Sequence, residues 1–339
     1  MARLNRSSKR IALPTLDEDA AIKLISELVK LDSRFIPQTR GYSLYLRPTM
    51  IGTQETLGVS APSSALLFVI ASPVGPYYPT GFKAISLEAT DYAVRAWPGG
   101  VGDKKLGANY APCIVPQTEA AKRGHQQNLW LFGEEEYVTE VGTMNLFVAL
   151  KNKETGQNEL ITAPLDGTIL EGVTRDSVLT LARERLGPRG WTISERKLTM
   201  SEIAQAADEG RMIEVFGAGT AAIVSPVRTI SWKGRTVDCG LKENEEAGKV
   251  ALEMKNWIEG IQYGDEEHSW RFVLITMLNA RRKVPNECAI NLQNPMHGPR
   301  ESIWGARIGR QVIYRPRGSA PIRSVEGEKD LQEDPSIHF

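Results

Sequence analysis

The chain has few groups with which to hold a metal or staple itself: three cysteines, Cys113, Cys239 and Cys288, and four histidines in 339 residues. The cysteines lie far apart in no Cys-x-x-Cys or His-x-Cys spacing, which excludes a disulfide framework and a structural zinc site and fits a reducing compartment. Neither sign of charge is in excess, since 41 Lys and Arg face 41 Asp and Glu. Zero net charge supplies no field to gather nucleic acid or an anionic membrane surface, so the expected partner is a small molecule. Long apolar runs are missing too. Ala65 to Ala71 has the length of a buried strand, far short of the roughly 18 residues that span a bilayer. Internal repeats and low-complexity tracts are absent. Acid is lacking from Met1 to Leu16, where Arg3, Arg6, Lys9, Arg10 and two serines give the composition of a mitochondrial transit peptide.

What is present is room for two domains, or for one large α/β domain with an appendage. Ala21, Leu24, Ile25 and Leu28 follow the i, i+3, i+4, i+7 spacing of an amphipathic helix that ends before Pro37. Short β-type runs follow at 42–46, 65–71 and 84–90, separated by turns such as Pro73-Val74-Gly75-Pro76. A helix is expected over 110–123, then strands over 128–132, 137–141 and 145–151. Val178, Leu181 and Ala182 mark a helix over 174–186, and Thr199-x-x-Glu202 is a capping box opening another. A strand over 212–216 feeds the turn Gly217-Ala218-Gly219-Thr220. Val250, Met254, Trp257, Ile258 and Ile261 mark a last helix over 245–262, with its Trp and Met assigned to the core. After about residue 275 apolar periodicity fades, and a poorly ordered tail is expected.

Four segments carry candidate chemistry. Lys105 lies in the Gly-rich stretch from Gly99 to Tyr110, Glu140 ends an apolar strand in Thr139-Glu140-Val141-Gly142-Thr143-Met144-Asn145, Gly172-Val173-Thr174-Arg175 opens a helix, and Gly217 to Ala222 closes a strand. Each is common singly; together and in this order they are not. They supply the four services that pyridoxal phosphate requires. Lys105 offers an amine whose pKa limited solvation would lower, for a Schiff base and for later proton transfer. Glu140 offers a buried carboxylate to keep a pyridine nitrogen protonated. Tyr110 offers a phenol near the ring hydroxyl. Helix amides at Val173 and Thr174, with Thr220 and a guanidinium, offer a phosphate site. Lys104 is an equally reactive amine on chemical grounds alone. His125 and His268 read as surface or packing histidines, and Arg175 as bonded to solvent or to a neighbouring loop.

With Ser43-Leu44-Tyr45-Leu46-Arg47-Pro48, Leu57-Gly58-Val59 and Arg95-Ala96-Trp97 added to these segments, the chain from about Met1 to Val273 resembles a fold type IV (class IV) pyridoxal-phosphate-dependent aminotransferase of the branched-chain amino acid kind. The resemblance implies an α+β or α/β architecture, with a small N-terminal domain over residues 1–75, an interdomain connection over 76–82, a large cofactor-binding domain over 83–274 and a divergent tail over 275–339. Relatives begin upstream of Met1, so the small domain is expected to lack its first strands and one aromatic wall of the pocket.

The resemblance also implies transamination of leucine, isoleucine and valine with 2-oxoglutarate, or a dedicated role in making one aliphatic amino acid for a secondary metabolite; a catalytically impaired homologue is the third reading. It selects Lys105 over Lys104 through the spacing to Tyr110. Cofactor contacts fall to Arg3, Lys105, Tyr110, Glu140, Val173, Thr174 and Thr220. The aliphatic pocket falls to Tyr45, Tyr77, Thr143 and Ala221, with Leu57 and Val59 reaching in from the other subunit of a homodimer. A phosphate role for Arg3 argues against its removal with a transit peptide, so a cytoplasmic location is expected, with mitochondrial as the alternative. Glu171 stands where relatives carry proline, next to the phosphate turn, where a carboxylate either repels the phosphate or points to solvent. Ala222 and Ser225 replace the redox Cys-x-x-Cys of mammalian members.

Overall fold

Asp17 starts the first long helix. In the computed structural model, which describes residues 1–76 and 82–274, its carboxylate accepts the Ala20 N–H at 2.7 Å and caps α2 (Glu18–Leu31), which follows a basic helix α1 (Ala2–Arg10). The buried face of α2 carries Ala21, Ile25, Leu28 and Val29, while Leu24, expected in that stripe, turns outward. The face thus follows i, i+4, i+7 and i+8, a small rotation from the predicted one. Ile25 and Val29 pack on Leu44 and Leu46 of strand β1 (Ser43–Gly52), which pairs antiparallel with β2 (Ala65–Val74). Both strands run further than predicted, through Pro48 and Pro73. Proline is tolerated there because each strand of a two-stranded sheet is an edge.

The second sheet holds β3 (Ile85–Thr90), β4 (Gln127–Phe132), β5 (Tyr137–Val141), β6 (Met144–Lys151), β7 (Asn158–Thr162), β8 (Thr192–Glu195), β9 (Met212–Gly219), β10 (Ile223–Trp232) and β11 (Arg235–Asp238). Its order is β11-β10-β3-β4-β5-β6-β7-β8, and β9 bridges β6 and β10. The strands β10, β3, β4, β5, β6 and β9 therefore close into a ring. Within it β3 lies parallel to β10 and β4, and the other neighbours are antiparallel. Alternation along β6 sends Leu146, Val148 and Leu150 into one apolar cluster and Phe147 and Ala149 into another, so the strand is buried on both faces. The first cluster takes in Met200 and Ile203 of α5 (Met200–Asp208). The second packs against α4 (Val173–Arg185) and α6 (Lys249–Tyr263).

Further boundaries differ from expectation. Strand β9 runs through Gly219, where a turn was expected from Gly217, because Gly217 to Gly219 pair with Ile223 to Ser225 of β10 and leave only 220–222 for the turn. The helix expected over 110–123 is broken: 3-10 turns occupy Gly107–Asn109 and Ala111–Cys113, and α3 spans only Ile114–Lys122. Pro112 has no N–H and belongs to a first turn, so the regular helix begins after it. The last helix starts at Lys249 rather than 245 because its cap comes from elsewhere. Glu214 of β9 accepts the Val250 and Ala251 N–H groups at 2.6 and 3.0 Å. Met254 is fully buried and Trp257 partly so, as expected for core positions. Among the described residues no helix is long and apolar enough to cross a membrane. The expected tail over 275–339 lies outside the described residues, as does most of the expected connection over 76–82.

Gly248 makes the Glu214 cap possible, since a Cβ there would lie 2.2 Å from Glu214 Oε2. Gly248→Ala displaces the carboxylate, leaves two amides uncapped and is expected to cost about 1–3 kcal/mol. A lowered urea midpoint checks this, and an unchanged midpoint would remove Glu214 as the anchor of α6.

Candidate active site

Adjacent strands fix the first pair of site residues. Glu140 of β5 stands opposite Asn145 of β6 in register, and Asn145 Nδ2 donates to Glu140 Oε1 at 2.9 Å. The Leu170 N–H donates to the same oxygen at 3.0 Å, while Asn145 also donates to the Leu170 carbonyl, so the segment before α4 is stitched to both strands. The other oxygen, Oε2, lies 2.7 Å from Arg95 Nη2 as an ion pair but accepts no hydrogen bond of good geometry. Both side chains are buried, at 4% exposure for Arg95 and 2% for Glu140. Burial pushes the Glu140 carboxyl above its ordinary value, opposed by Arg95, the Leu170 N–H and Lys105.

Lys105 faces this carboxylate from the loop that follows β3. Its ammonium is pushed down to about 7, first by burial, then by the Arg3 guanidinium, with Arg95 and Arg47 adding to the effect and Glu140 opposing it. Arg3 lies on α1 and Arg47 on β1, so the charges acting on this amine come from both sheets and their helices. The nitrogen also lies 4.9 Å from the centre of the Tyr110 ring. Lys104 pairs with Asp103. The loop is tight: a Cβ at Gly102 would lie 2.4 Å from the Ala96 Cβ and 2.7 Å from the Thr168 carbonyl, and Asn109 Nδ2 donates to the Val101 and Lys104 carbonyls.

The remaining residues lie at the start of α4, in two strand turns and on β1. Gly172, the N-cap of α4, has no side chain to offer the amides of Val173 and Thr174, and it packs so closely on Asn145 that a Cβ would lie 2.1 Å from Oδ1. Beside this turn Arg3 Nη1 donates to the Glu171 carbonyl at 3.0 Å, and burial lowers the Arg3 pKa. Thr220 and Ala221 lie in the turn from β9 to β10, and Thr143 in the turn from β5 to β6. Gly219 lies against Met144, where a Cβ would lie 2.8 Å from Cγ. Tyr45 lies on β1 with the Arg47 guanidinium 5.5 Å over its ring. An amine with a lowered pKa, a buried carboxylate with one oxygen that accepts no hydrogen bond, and a helix N-terminus beside a guanidinium fit pyridoxal phosphate at its aldehyde, pyridine and phosphate respectively.

Leu57 and Val59 are not brought into this cluster: both stand fully exposed in the loop between β1 and β2. Tyr77 lies outside the described residues. The Glu171 carboxylate does not stand free, since it pairs with Arg6 at 2.6 Å. Arg175 is buried, donating to the Ala163 carbonyl at 2.8 Å and pairing with Glu195 at 2.7 Å. His125 bonds the Ser86 hydroxyl at 2.7 Å, and the His268 and Trp270 rings meet edge to face.

The family model for amino-transferase class IV matches residues 1–230. The cytosolic branched-chain-amino-acid aminotransferase of Saccharomyces cerevisiae is 59% identical over 82% of this chain and 74% of its own length, and the mitochondrial one of the same organism is 61% identical over 78% and 67%. The chain belongs to the class IV aminotransferases and, within them, to the branched-chain-amino-acid aminotransferases. Among solved structures, the branched-chain amino acid aminotransferase of Escherichia coli is 25% identical and superposes with a TM-score of 0.64, covering 79% of this chain and 80% of that one. A second, from T.th. and bound to pyridoxamine 5'-phosphate, is 26% identical with a TM-score of 0.59, over 77% of this chain and 76% of that one. The closed strand ring with flanking helices is the fold type IV architecture of these aminotransferases.

Three residues of this aminotransferase site were not singled out from the sequence. Arg95 and Ser7, whose Oγ accepts the Lys105 N–H at 2.9 Å, act on Glu140 and Lys105 from distant segments, and Asn145 acts on Glu140 across the β5–β6 hairpin. Only Arg95 left a signal, as a lone cation between small and aromatic neighbours. The depressed ammonium of Lys105 has two measurable consequences. In competitive acetylation of the apoprotein, Lys105 reactivity should rise with a midpoint at about 7; a midpoint near the ordinary 10.5 contradicts the burial account. Because the folded state binds fewer protons than the unfolded one from about 7 up to that ordinary value, apoprotein stability should increase with pH across this window, and Lys105→Met should abolish that slope.

Proposed function

We propose that the chain catalyses amino transfer between branched-chain L-amino acids, leucine, isoleucine and valine, and 2-oxoglutarate, using pyridoxal phosphate held by Lys105. The observation that carries the reading is Lys105 itself, an amine lowered to about 7 and set beside a buried, partly unsatisfied carboxylate. When bound, pyridoxal phosphate supplies an aldehyde that condenses with amines and a protonated ring that accepts the electron pair left on the substrate α-carbon.

The chain's own residues do the rest. Lys105 Nζ, largely neutral above pH 7, takes the proton from the substrate α-carbon and gives it back later in the half-reaction. Glu140, fixed through Oε1 by Asn145 and Leu170, would pair with the pyridine nitrogen and keep it protonated. Tyr110 holds the ring hydroxyl. Arg3, the Val173 and Thr174 amides and Thr220 bind the phosphate. Backbone amides at Thr220 and Ala221 hold the substrate carboxylate, and Tyr45, Thr143 and Ala221 line the aliphatic pocket, with Tyr77 assigned to the same wall.

The complete pocket needs a second copy. Leu57 and Val59, at 104% and 110% exposure, are apolar side chains with no cover of their own, as suits residues that reach into a partner's pocket in a homodimer. The division into a small domain over 1–75 and a cofactor domain over 83–274 follows the two sheets. We assign the protein to the cytoplasm, with mitochondria as the alternative, since relatives of both compartments match closely.

Purified protein with pyridoxal phosphate should absorb in the near-visible, shift on addition of glutamate, and turn over leucine, isoleucine and valine at comparable rates. Lys105→Ala should lose the band and about 10²–10⁴-fold or more of the rate; an unaltered variant, or a parent that transfers none of the three amino groups, sinks the reading. For the second subunit, Leu57→Asp with Val59→Asp should raise KM for leucine and lower the dimer fraction in sedimentation. Unchanged values on both counts would remove those residues from the pocket.

A further inference from the structure

Helix α1 meets the site along a single face. Arg3, Arg6, Ser7 and Arg10 follow the i, i+3, i+4, i+7 spacing, and all four bond to the two loops that flank the candidate cofactor site. Arg3 Nη1 donates to the Glu171 carbonyl at 3.0 Å and Arg6 Nη2 to the Glu171 carboxylate at 2.6 Å, both at the turn before α4. Ser7 Oγ accepts the Lys105 N–H at 2.9 Å, and Arg10 Nη2 donates to the Gly99 carbonyl at 3.1 Å, both on the lysine loop. Ser7 is buried, so the Lys105 amide is satisfied by this hydroxyl rather than by bulk water. Around the helix from this face, Asn5 clips Leu16 through two bonds and Ser8 Oγ lies 3.8 Å from Met50 Sδ of β1. The helix is thus seated on the small sheet and joins the phosphate turn to the lysine loop.

We propose that α1 is a clasp for Lys105, with Ser7 as the positioning residue and the Arg6–Glu171 pair as its second fastening. The proposal rests on the pyridoxal-phosphate reading of the site. An exposed ion pair is worth little as an isolated contact. Here it sets where a rigid helix sits, and through Ser7 that sets where the backbone of Lys105 sits. The turn that would grip the phosphate and the amine that would meet the aldehyde are then parts of one linkage, so loosening either end reaches the other. Glu171, which the sequence left between repulsion and solvent, gains a role: its charge is spent on Arg6 while its backbone receives Arg3.

The test measures equilibrium binding of pyridoxal phosphate and the pH midpoint of Lys105 acetylation in the apoprotein, alongside urea midpoints. Ser7→Ala should bind pyridoxal phosphate about five- to tenfold more weakly and move the acetylation midpoint, while Ser7→Thr, which keeps the hydroxyl, should stay within about twofold of the parent. Glu171→Gln should weaken binding about two- to fivefold, and exchanging the charges in Arg6→Glu with Glu171→Arg should recover most of it. In a clasp the two fastenings are coupled, so Ser7→Ala with Glu171→Gln should weaken binding by less than the product of the single effects. A product of independent effects, or a Ser7→Ala protein with the parent's affinity and acetylation midpoint, overturns the clasp; so does a loss of urea stability with both readouts unmoved, which is the mark of a merely structural serine. Absence of the near-visible band from the parent removes the functional reading and the clasp together, whereas a parent band with an unchanged Ser7→Ala removes the clasp alone.

Discussion

The buried pair of Glu140 and Arg95 is the constraint around which the site is arranged. A carboxylate and a guanidinium taken out of water are costly unless their remaining polar atoms are satisfied. Glu140 meets this condition through Asn145 across the strand pair and through the Leu170 amide, which tie β5, β6 and the approach to α4 to one oxygen. Arg95 meets it through Glu140 and the Thr168 carbonyl, which brings the start of the lysine loop to the same place. One charge thus fixes three segments that are far apart in the chain. The other oxygen is held by Arg95 through the ion pair alone.

Lys105 is the counterpart of that arrangement. Its amine lies within the field of Glu140, yet burial and three guanidiniums, Arg3, Arg95 and Arg47, outweigh the carboxylate and hold the ammonium down. The positive surroundings are needed twice over, for a nucleophilic amine and for an anion at the α4 turn. A folded apoprotein with several cations crowded about one lysine is destabilised locally, as functional sites commonly are, and a bound dianion relieves the crowding.

Much of this was legible in the sequence, for reasons that differ by segment. The strands β4 to β6 and helices α4 to α6 announce themselves because apolar period acts locally, and α5 also through its own Thr199 cap. Lys105, Glu140 and the Gly172 turn were legible as a set because each sits in a short segment whose residue types answer one chemical need. The choice between Lys104 and Lys105 was not legible from chemistry. Adjacent lysines have the same intrinsic reactivity, and only the fold pairs one with Asp103 while lowering the pKa of the other. Arg95 and Ser7 were missed because their partners lie 45 and 98 residues away and periodicity carries no such information. The break at Pro112 was legible in principle, since a missing N–H limits a proline to the first turn.

The strand ring closes late. β3 must wait for β10, which begins more than a hundred residues downstream, and the bonds from α1 reach across about as much chain again to Glu171. Such nonlocal closure slows folding and leaves early segments waiting for partners during synthesis. Helix α1 therefore finds its seat only after Glu171 and the loop of Lys105 have been made, and until then the lysine stands in an unfinished loop.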